Sequence, residues 1–340
     1  MEQPSGIVAI DLSLSNIWQV WWKFRRGKKR SAELEDFTYH LEENLFRLFE
    51  DLSSGSYRHG GYEVFYVTDN KKRRVAVASI RDRVVHRLLY EYLVPIYDPT
   101  FISDVWSCRK GKGLLGAIQR TQALLHLYPR SFVWRSDVVK FFDSVDRDVL
   151  FGLLKEKISD FRALGILREV IESSPCFTLS LEREIERERE LKTPRKGLPI
   201  GNLTSQIFAN IYLSGFDWFV KRVLKPQGYV RYGDDFIVIV PTREAAERIK
   251  RDATIFLRER LDLALHEKNN IIVRAKHGLH FLGMRIYTTG RTLNKRNLSR
   301  IKKRLTLRNI PSYSGLVKNH MKTKYVKAFH WETLGILEEL

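Results

Sequence analysis

The chain has 340 residues, 44% of them hydrophobic, and a formal charge of +19. It is long enough for one large domain or two to three smaller ones, and a positive surplus of that size points to a polyanion, either nucleic acid or an acidic membrane surface, the plainer alternative being a basic but inert soluble protein. Cys108 and Cys176 form no CxxC and stand near no histidine pair, which argues against zinc or a disulfide framework; no leader-like or membrane-length apolar run is present, so the expectation is a soluble, cytoplasmic protein without a membrane partner.

Residues 15–52 place apolar side chains at helical spacing, as in AELEDFTYHLEENLFRLFEDL. The preceding WQVWWKFRRGKKR interleaves aromatic and basic residues; packing is expected for Trp18, Trp21 and Trp22, and phosphate contact for Arg25, Arg26, Lys28, Lys29 and Arg30. YEVFYVT and RVAVASI read as a hairpin about the polar turn DNKKR. A helix follows from near Asp82 through VVHRLLYEYLVPIY, and CRKGKG is a glycine-rich basic loop opening another. FVWRSDVVKFF reads as a buried strand ending at a loop, and 150–172 as helical. The charge run LEREIERERELK is expected to be a solvated helix or excursion without chemistry of its own. Residues 197–224 pass from a Gly/Pro loop into a helix, YVRYGDDFIVIV is two strands about a tight turn, 243–263 is an amphipathic helix, and 270–287 returns to strands. Between Arg291 and Lys327 stand twelve Lys/Arg and no Asp or Glu, with apolar residues still at helical spacing; a small basic helical domain is expected.

Four pieces carry chemistry. Tyr232-Gly233-Asp234-Asp235 puts two adjacent carboxylates at a hairpin tip, where like charges repel and a divalent cation would relieve the cost; an exposed Gly/Asp turn is the plainer reading of those four residues alone. Asp137 ends a strand 97 positions earlier, and two-metal phosphoryl transfer needs carboxylates from separate elements meeting at one point. Asp143 and Asp146 differ in phase and read as structural or capping residues. In GLPIGNLTSQIFANIYL, Gly197, Pro199 and Gly201 admit a close backbone approach and Asn202, Thr204, Ser205 and Gln206 offer hydrogen bonds, although an ordinary capped helix start reads the same way. Lys71, Lys72, Arg73 and Arg74 give a hairpin the donors a nucleoside triphosphate needs, or simply a solvated turn.

The order of these pieces, closed by HFLGMRI, resembles the reverse transcriptase palm over roughly residues 30–290. The resemblance implies an α+β right-hand polymerase fold with α/β fingers, an antiparallel-sheet palm and a helical thumb. It implies N-terminal helices and fingers over 1–105, a palm over 106–288 with an inserted charged helical segment near 151–196, and a basic helical thumb over 289–340. It also implies catalytic Asp137, Asp234 and Asp235, holding two Mg²⁺ (or Mn²⁺) together with the backbone at Val138. Lys71, Arg73, Phe142, Gly201 and Gln206 would face the dNTP, with Phe142 excluding a 2′-hydroxyl, and Ile200, Ser205 and Asn210 the template. Phe281, Leu282 and Gly283 would form the primer grip, and Lys302, Lys303 and Arg304 would hold the duplex. Expected partners are an RNA template, a DNA or RNA primer and dNTPs.

IGNLTSQ is similar to the pattern of diversity-generating retroelement enzymes, an aliphatic residue followed by GxxxSQ. That resemblance implies error-prone copying at template adenines and a small basic accessory protein. A defence-associated or other retroelement enzyme, and a non-catalytic nucleic-acid binder on a polymerase scaffold, are the competing expectations.

Overall fold

The computed structural model describes residues 8–68, 72–173, 196–321 and 323–338. Lys71, Cys176 and the charge run 181–192 lie outside the described residues, as does the side chain of Lys302. The chain divides into two compact units. The first comprises residues 1–102, 138–218 and 255–264; the second comprises 103–137, 219–254 and 265–340.

In the first unit the N-terminal helical run is three helices, α1 (Leu14–Arg25), α2 (Ala32–Tyr39) and α3 (Leu41–Ser54). Ser13 and Ser31 cap the first two through their hydroxyls, and Gly27, at φ +73, separates them. Ile17, Val20, Trp21 and Phe24 form the inward stripe of α1 at three- and four-residue spacing. Trp18 and Trp22 are exposed, which corrects the expectation that all three tryptophans pack inward: the neighbours of α1 bury the stripe of residues 17, 20, 21 and 24, and residues 18 and 22 each stand one position, about 100°, round the helix from 17 and 21.

The basic hairpin forms as expected, with β1 (Tyr62–Thr68) antiparallel to β2 (Lys72–Ala78) and Thr68 opposite Lys72. Ser79 then caps α4 (Ile80–Tyr97), which packs on α1. Short α6 (Phe141–Ser144) precedes α7 (Arg147–Lys155) and α8 (Phe161–Glu172). Asp146 caps α7, accepting from the amides of Asp148 and Val149, the capping role its sequence phase indicated. The long apolar α9 (Leu203–Phe219) follows the Gly/Pro loop, and Tyr212 within it donates to the Leu261 carbonyl at 2.7 Å.

The second unit contains two antiparallel sheets. One has the order β4 (Gly228–Tyr232), β5 (Asp235–Val240), β3 (Phe132–Ser136), β6 (Ile271–Arg274). The other runs β7 (Leu279–Phe281), β8 (Met284–Tyr287), β9 (Gly290–Leu293). After Asp235, β5 is an apolar run, Phe236 to Val240, because both its faces are covered there. The core joins Ile118 and Leu125 of α5 (Leu114–Leu127), Val133, Ile237, Ile286 and Ile301. The amphipathic helix expected over 243–263 forms as α10 (Arg243–Leu261). The basic tail is helical, as α11 (Lys295–Arg304), α12 (Ile310–His320) and α13 (Thr323–Glu338), and Ile301, Val317 and Phe329 tie it into the core of the second unit. Among the described residues no helix is long and apolar enough to cross a membrane.

Candidate active site

The three aspartates lie in one unit, at the ends of neighbouring strands of one sheet: Asp137 just past β3, Asp234 in the turn between β4 and β5, and Asp235 at the start of β5. β3 pairs with β5 so that Ser136 faces Phe236 and Arg135 faces Ile237. Continued by one residue, this register sets Asp137 across from Asp235. Side chains alternate along a strand, so Arg135, Asp137 and Asp235 share one face. Tyr232 pairs with Asp235 on the other flank, leaving Gly233 and Asp234 as a two-residue turn. Gly233 has φ +66 while Asp234 does not enter the left-handed region, the pattern of a turn that needs glycine first.

Each carboxylate is held differently. Asp235 accepts a fork from Arg135, Nε to Oδ1 at 3.2 Å and Nη2 to Oδ2 at 3.1 Å. Burial pushes its carboxyl up to about 6; Arg135 opposes that rise, and Asp137 and Asp234 add to it. Asp137 accepts from the Asn269 amide at Oδ2, 3.0 Å, and its carbonyl accepts from the His266 amide at 2.9 Å. Its Oδ1 is buried and has no hydrogen-bond partner. A carboxylate oxygen in that condition is costly unless a cation meets it.

The turn is clamped from the segment before α5. The Gly233 amide donates to Ser107 Oγ at 2.8 Å and its carbonyl accepts from Arg231 Nη1 at 2.8 Å. Arg231 is fully buried; its amide donates to the Asp104 carbonyl and its own carbonyl accepts from the Trp106 amide, both at 2.9 Å. Sequence reading missed Arg135, Asn269, Ser107 and Arg231. Arg135 was within reach, because it stands two residues before Asp137 and therefore on the same face.

Among the described residues no three His, Cys, Asp or Glu side chains converge closely enough to hold a metal ion alone. The donor set nevertheless fits Mg²⁺, which takes hard oxygens and is commonly held by one or two carboxylates, with water and substrate phosphate completing the shell. The facing pair Asp137 and Asp235, with the unpartnered Oδ1, is of that kind.

The other predicted residues fall in two places. Arg73, Phe142, Ile200, Gly201, Ser205, Gln206 and Asn210 belong to the first unit, as does buried Val138. Arg73 is exposed on β2, opposite Val67. Phe142 is half-buried on α6, its ring 5.4 Å from that of Phe141, and its carbonyl accepts from the Leu198 amide at 2.7 Å. The loop before α9 is tied to β2, where the Ala76 amide donates to the Ile200 carbonyl at 2.9 Å. Gly201 has φ +125, and a Cβ there would stand 2.9 Å from Val75 Cγ1 and 3.1 Å from the Ala76 carbonyl oxygen. Ser205 is buried and donates to the Pro199 carbonyl; Asn210 is buried, Ile200 half-buried and Gln206 exposed.

Phe281, Leu282 and Gly283 belong to the second unit and form the β7–β8 turn, with positive φ at both Leu282 and Gly283. The Gly283 carbonyl accepts from the amide of Asn294 and from Asn297 Nδ2, which fixes the turn to the start of α11. Lys303 and Arg304 are exposed at the end of that helix.

The family model described as reverse transcriptase (RNA-dependent DNA polymerase) matches residues 67–286. The protein YkfC of Escherichia coli is 24% identical over 276 residues, covering 70% of this chain and 70% of its own. The group II intron-encoded protein LtrA of Lactococcus lactis is 22% identical over 328 residues, covering 77% of this chain and 53% of its own. This chain thus spans about half the length of that intron-encoded relative. A structure of telomerase from Candida albicans, in complex with a fragment of telomeric RNA, is 13% identical with a TM-score of 0.46, covering 77% of this chain and 51% of the other.

Proposed function

Because this chain belongs to the reverse transcriptase family, we propose that it is an RNA-directed DNA polymerase whose reaction centre is the Asp137, Asp234 and Asp235 face. The observation that carries this reading is the β3–β5 register, which continued by one residue sets Asp137 across from Asp235, together with Asp137 Oδ1 buried and unpartnered. Two Mg²⁺ bound there would supply the lowered pKa of a primer 3′-hydroxyl and charge stabilisation at the leaving pyrophosphate. The protein's own part is positional. Arg135 holds Asp235, Asn269 holds Asp137, and Ser107 with Arg231 holds the turn that presents Asp234.

For substrate selection we assign Lys71, Arg73, Phe142, Gly201 and Gln206 to the incoming dNTP, Ile200, Ser205 and Asn210 to the template, and Phe281–Gly283 to the primer. The residue ranges 1–105, 106–288 and 289–340 serve as fingers, palm and thumb in this reading. Lys302, Lys303 and Arg304 grip the RNA–DNA duplex through its phosphates, independently of sequence. The aromatic Phe142 supports deoxynucleotide selection, because a ring at the sugar clashes with a 2′-hydroxyl.

Within the family we favour the diversity-generating type, on the strength of IGNLTSQ at 200–206. An underpacked contact from Ile200 would then lower the cost of a mismatch at template adenines, and a small basic accessory protein would assist. The similarity to an intron-encoded relative supports a second reading, an intron- or other retroelement-type enzyme.

The deciding experiment is deoxynucleotide incorporation on a primed RNA template with Mg²⁺, wild type against Asp234→Asn. Synthesis by the wild type that the variant loses supports the polymerase and its metal face. Equal activity in the two overturns the assignment. The product's mismatch spectrum, with Ile200→Gln beside wild type, separates the subgroups; unchanged errors at adenine count against the diversity-generating reading.

A further inference from the structure

Behind the loop that leads into α9, the first unit holds a chain of buried polar groups that the assignments above leave unused. Thr204 Oγ1 lies 2.7 Å from His86 Nδ1, and His86 Nε2 lies 3.2 Å from His59 Nε2. His59 Nδ1 lies 2.6 Å from the Gly60 carbonyl oxygen. His86 and Thr204 are each 1% exposed.

Hydrogen-bond chemistry fixes the direction of this chain. A carbonyl oxygen only accepts, so His59 Nδ1 carries the proton. In a neutral ring Nε2 is then an acceptor. His86 Nε2 must therefore donate to it, which leaves His86 Nδ1 as an acceptor. Thr204 can meet that atom only by donating its hydroxyl proton. Each link thus has one permitted orientation while both rings are neutral. Burial, and next the neighbouring His59, pushes His86 down to about 3, so its ring stays neutral at physiological pH.

The far end is held as firmly. The Gly60 amide donates to Asp82 Oδ2 at 3.0 Å, Ser79 donates to the same oxygen at 2.7 Å, and Tyr57 donates to Asp82 Oδ1 at 2.8 Å. Thr204 stands between Gly201 and Gln206, on the first turn of α9, next to the Ser205–Pro199 bond.

We propose that His86 is a positioning residue: by accepting from Thr204 and donating to His59 it fixes the first turn of α9, and with it the aim of Ile200 and Gln206 at the nucleotide and template. This rests on the reading of residues 200–206 as nucleotide-facing.

The test uses the full chain and single-turnover dNTP incorporation, with melting temperature recorded for every variant. Thr204→Val is isosteric and removes only the donor; His86→Leu removes both links; His86→Gln keeps one acceptor and one donor. Thr204→Val and His86→Leu are expected to weaken apparent dNTP affinity about tenfold, with the saturated rate changed less than about twofold. His86→Gln restores most of that affinity, and the double variant Thr204→Val/His86→Leu is no worse than either single one. Gln206→Ala tests the loop reading separately. If it leaves dNTP affinity unchanged, that reading falls and takes the inference with it. If Gln206→Ala weakens affinity while Thr204→Val does not, the inference alone is overturned. Multiplying effects in the double variant overturn it as well. Should His86→Leu fail to fold, Thr204→Val decides.

Discussion

Arg135 forks onto Asp235, two strands joined by a pair of parallel N–H donors at 3.2 and 3.1 Å. The guanidinium also donates through Nη1 to the His280 carbonyl at 2.6 Å, so it cannot swing away freely. It neutralises one carboxylate of the site and leaves Asp137 Oδ1 open. Arg135→Met is expected to lower stability in a chelator by about 2 kcal/mol, below the usual cost of breaking a buried pair because both side chains keep about a fifth of their exposure. Saturating Mg²⁺ should shrink that loss, since a bound cation takes over the charge. Denaturant unfolding with and without Mg²⁺ measures both; an equal loss under the two conditions contradicts the shared role of Arg135 and metal.

Asp137→Asn keeps an oxygen for the Asn269 amide and relieves the unpartnered charge at Oδ1. Its melting temperature should match or exceed wild type, while nucleotide incorporation falls by about 10³-fold or more, the scale of losing an electrostatic centre. A parallel loss of stability and activity would instead mark Asp137 as a structural residue.

Ser107→Ala leaves the Gly233 amide without its acceptor. The expected stability cost is about 1 kcal/mol. Incorporation should slow about tenfold through the rate constant rather than through dNTP affinity, because the clamp orients the turn and not the substrate. Rapid-quench kinetics separates the two; a change in affinity alone would sink this assignment.

Gly201→Ala meets two obstacles, a backbone in the left-handed range and atoms of Val75 and Ala76 at 2.9 and 3.1 Å. The backbone of Ala76 cannot retreat without breaking its bond to Ile200. A loss of about 2–3 kcal/mol is expected from strain and overpacking together. Thermal unfolding within about 1 °C of wild type would contradict it.

His86 gives a pH dependence of known sign. Its folded pKa, about 3, lies below the ordinary 6.5, first through burial, then through His59, with Asp82 opposing and Arg83 adding. The unfolded chain therefore takes up a proton that the folded chain refuses. The stabilisation is present above pH 6.5 and is lost as pH falls towards 3. Between pH 7 and 5 it amounts to about 2 kcal/mol. Urea unfolding of wild type and His86→Gln across that range should converge towards the acid side; parallel curves would show that His86 does not titrate on unfolding.

The sequence by itself determined the local and the periodic. The YGDD turn, the basic hairpin, the long apolar helix after the Gly/Pro loop and the capping of α7 by Asp146 depend on neighbours within a few residues, and those neighbours are written side by side. It also carried the family, because the order of motifs survives where identity to known relatives is only 22–24%. What tertiary structure decided is which distant groups share a face. Asp137 meets Asp235 through a strand register, Ser107 reaches Gly233 across 126 positions, and Thr204 reaches His86 across 118. Strand pairing and buried hydrogen bonds are set by three-dimensional proximity, for which no spacing in a single sequence stands as a signal. Trp18 and Trp22 make the same point in reverse. Their apolar character suggested burial, but which side of a helix is inside is settled by what packs against it.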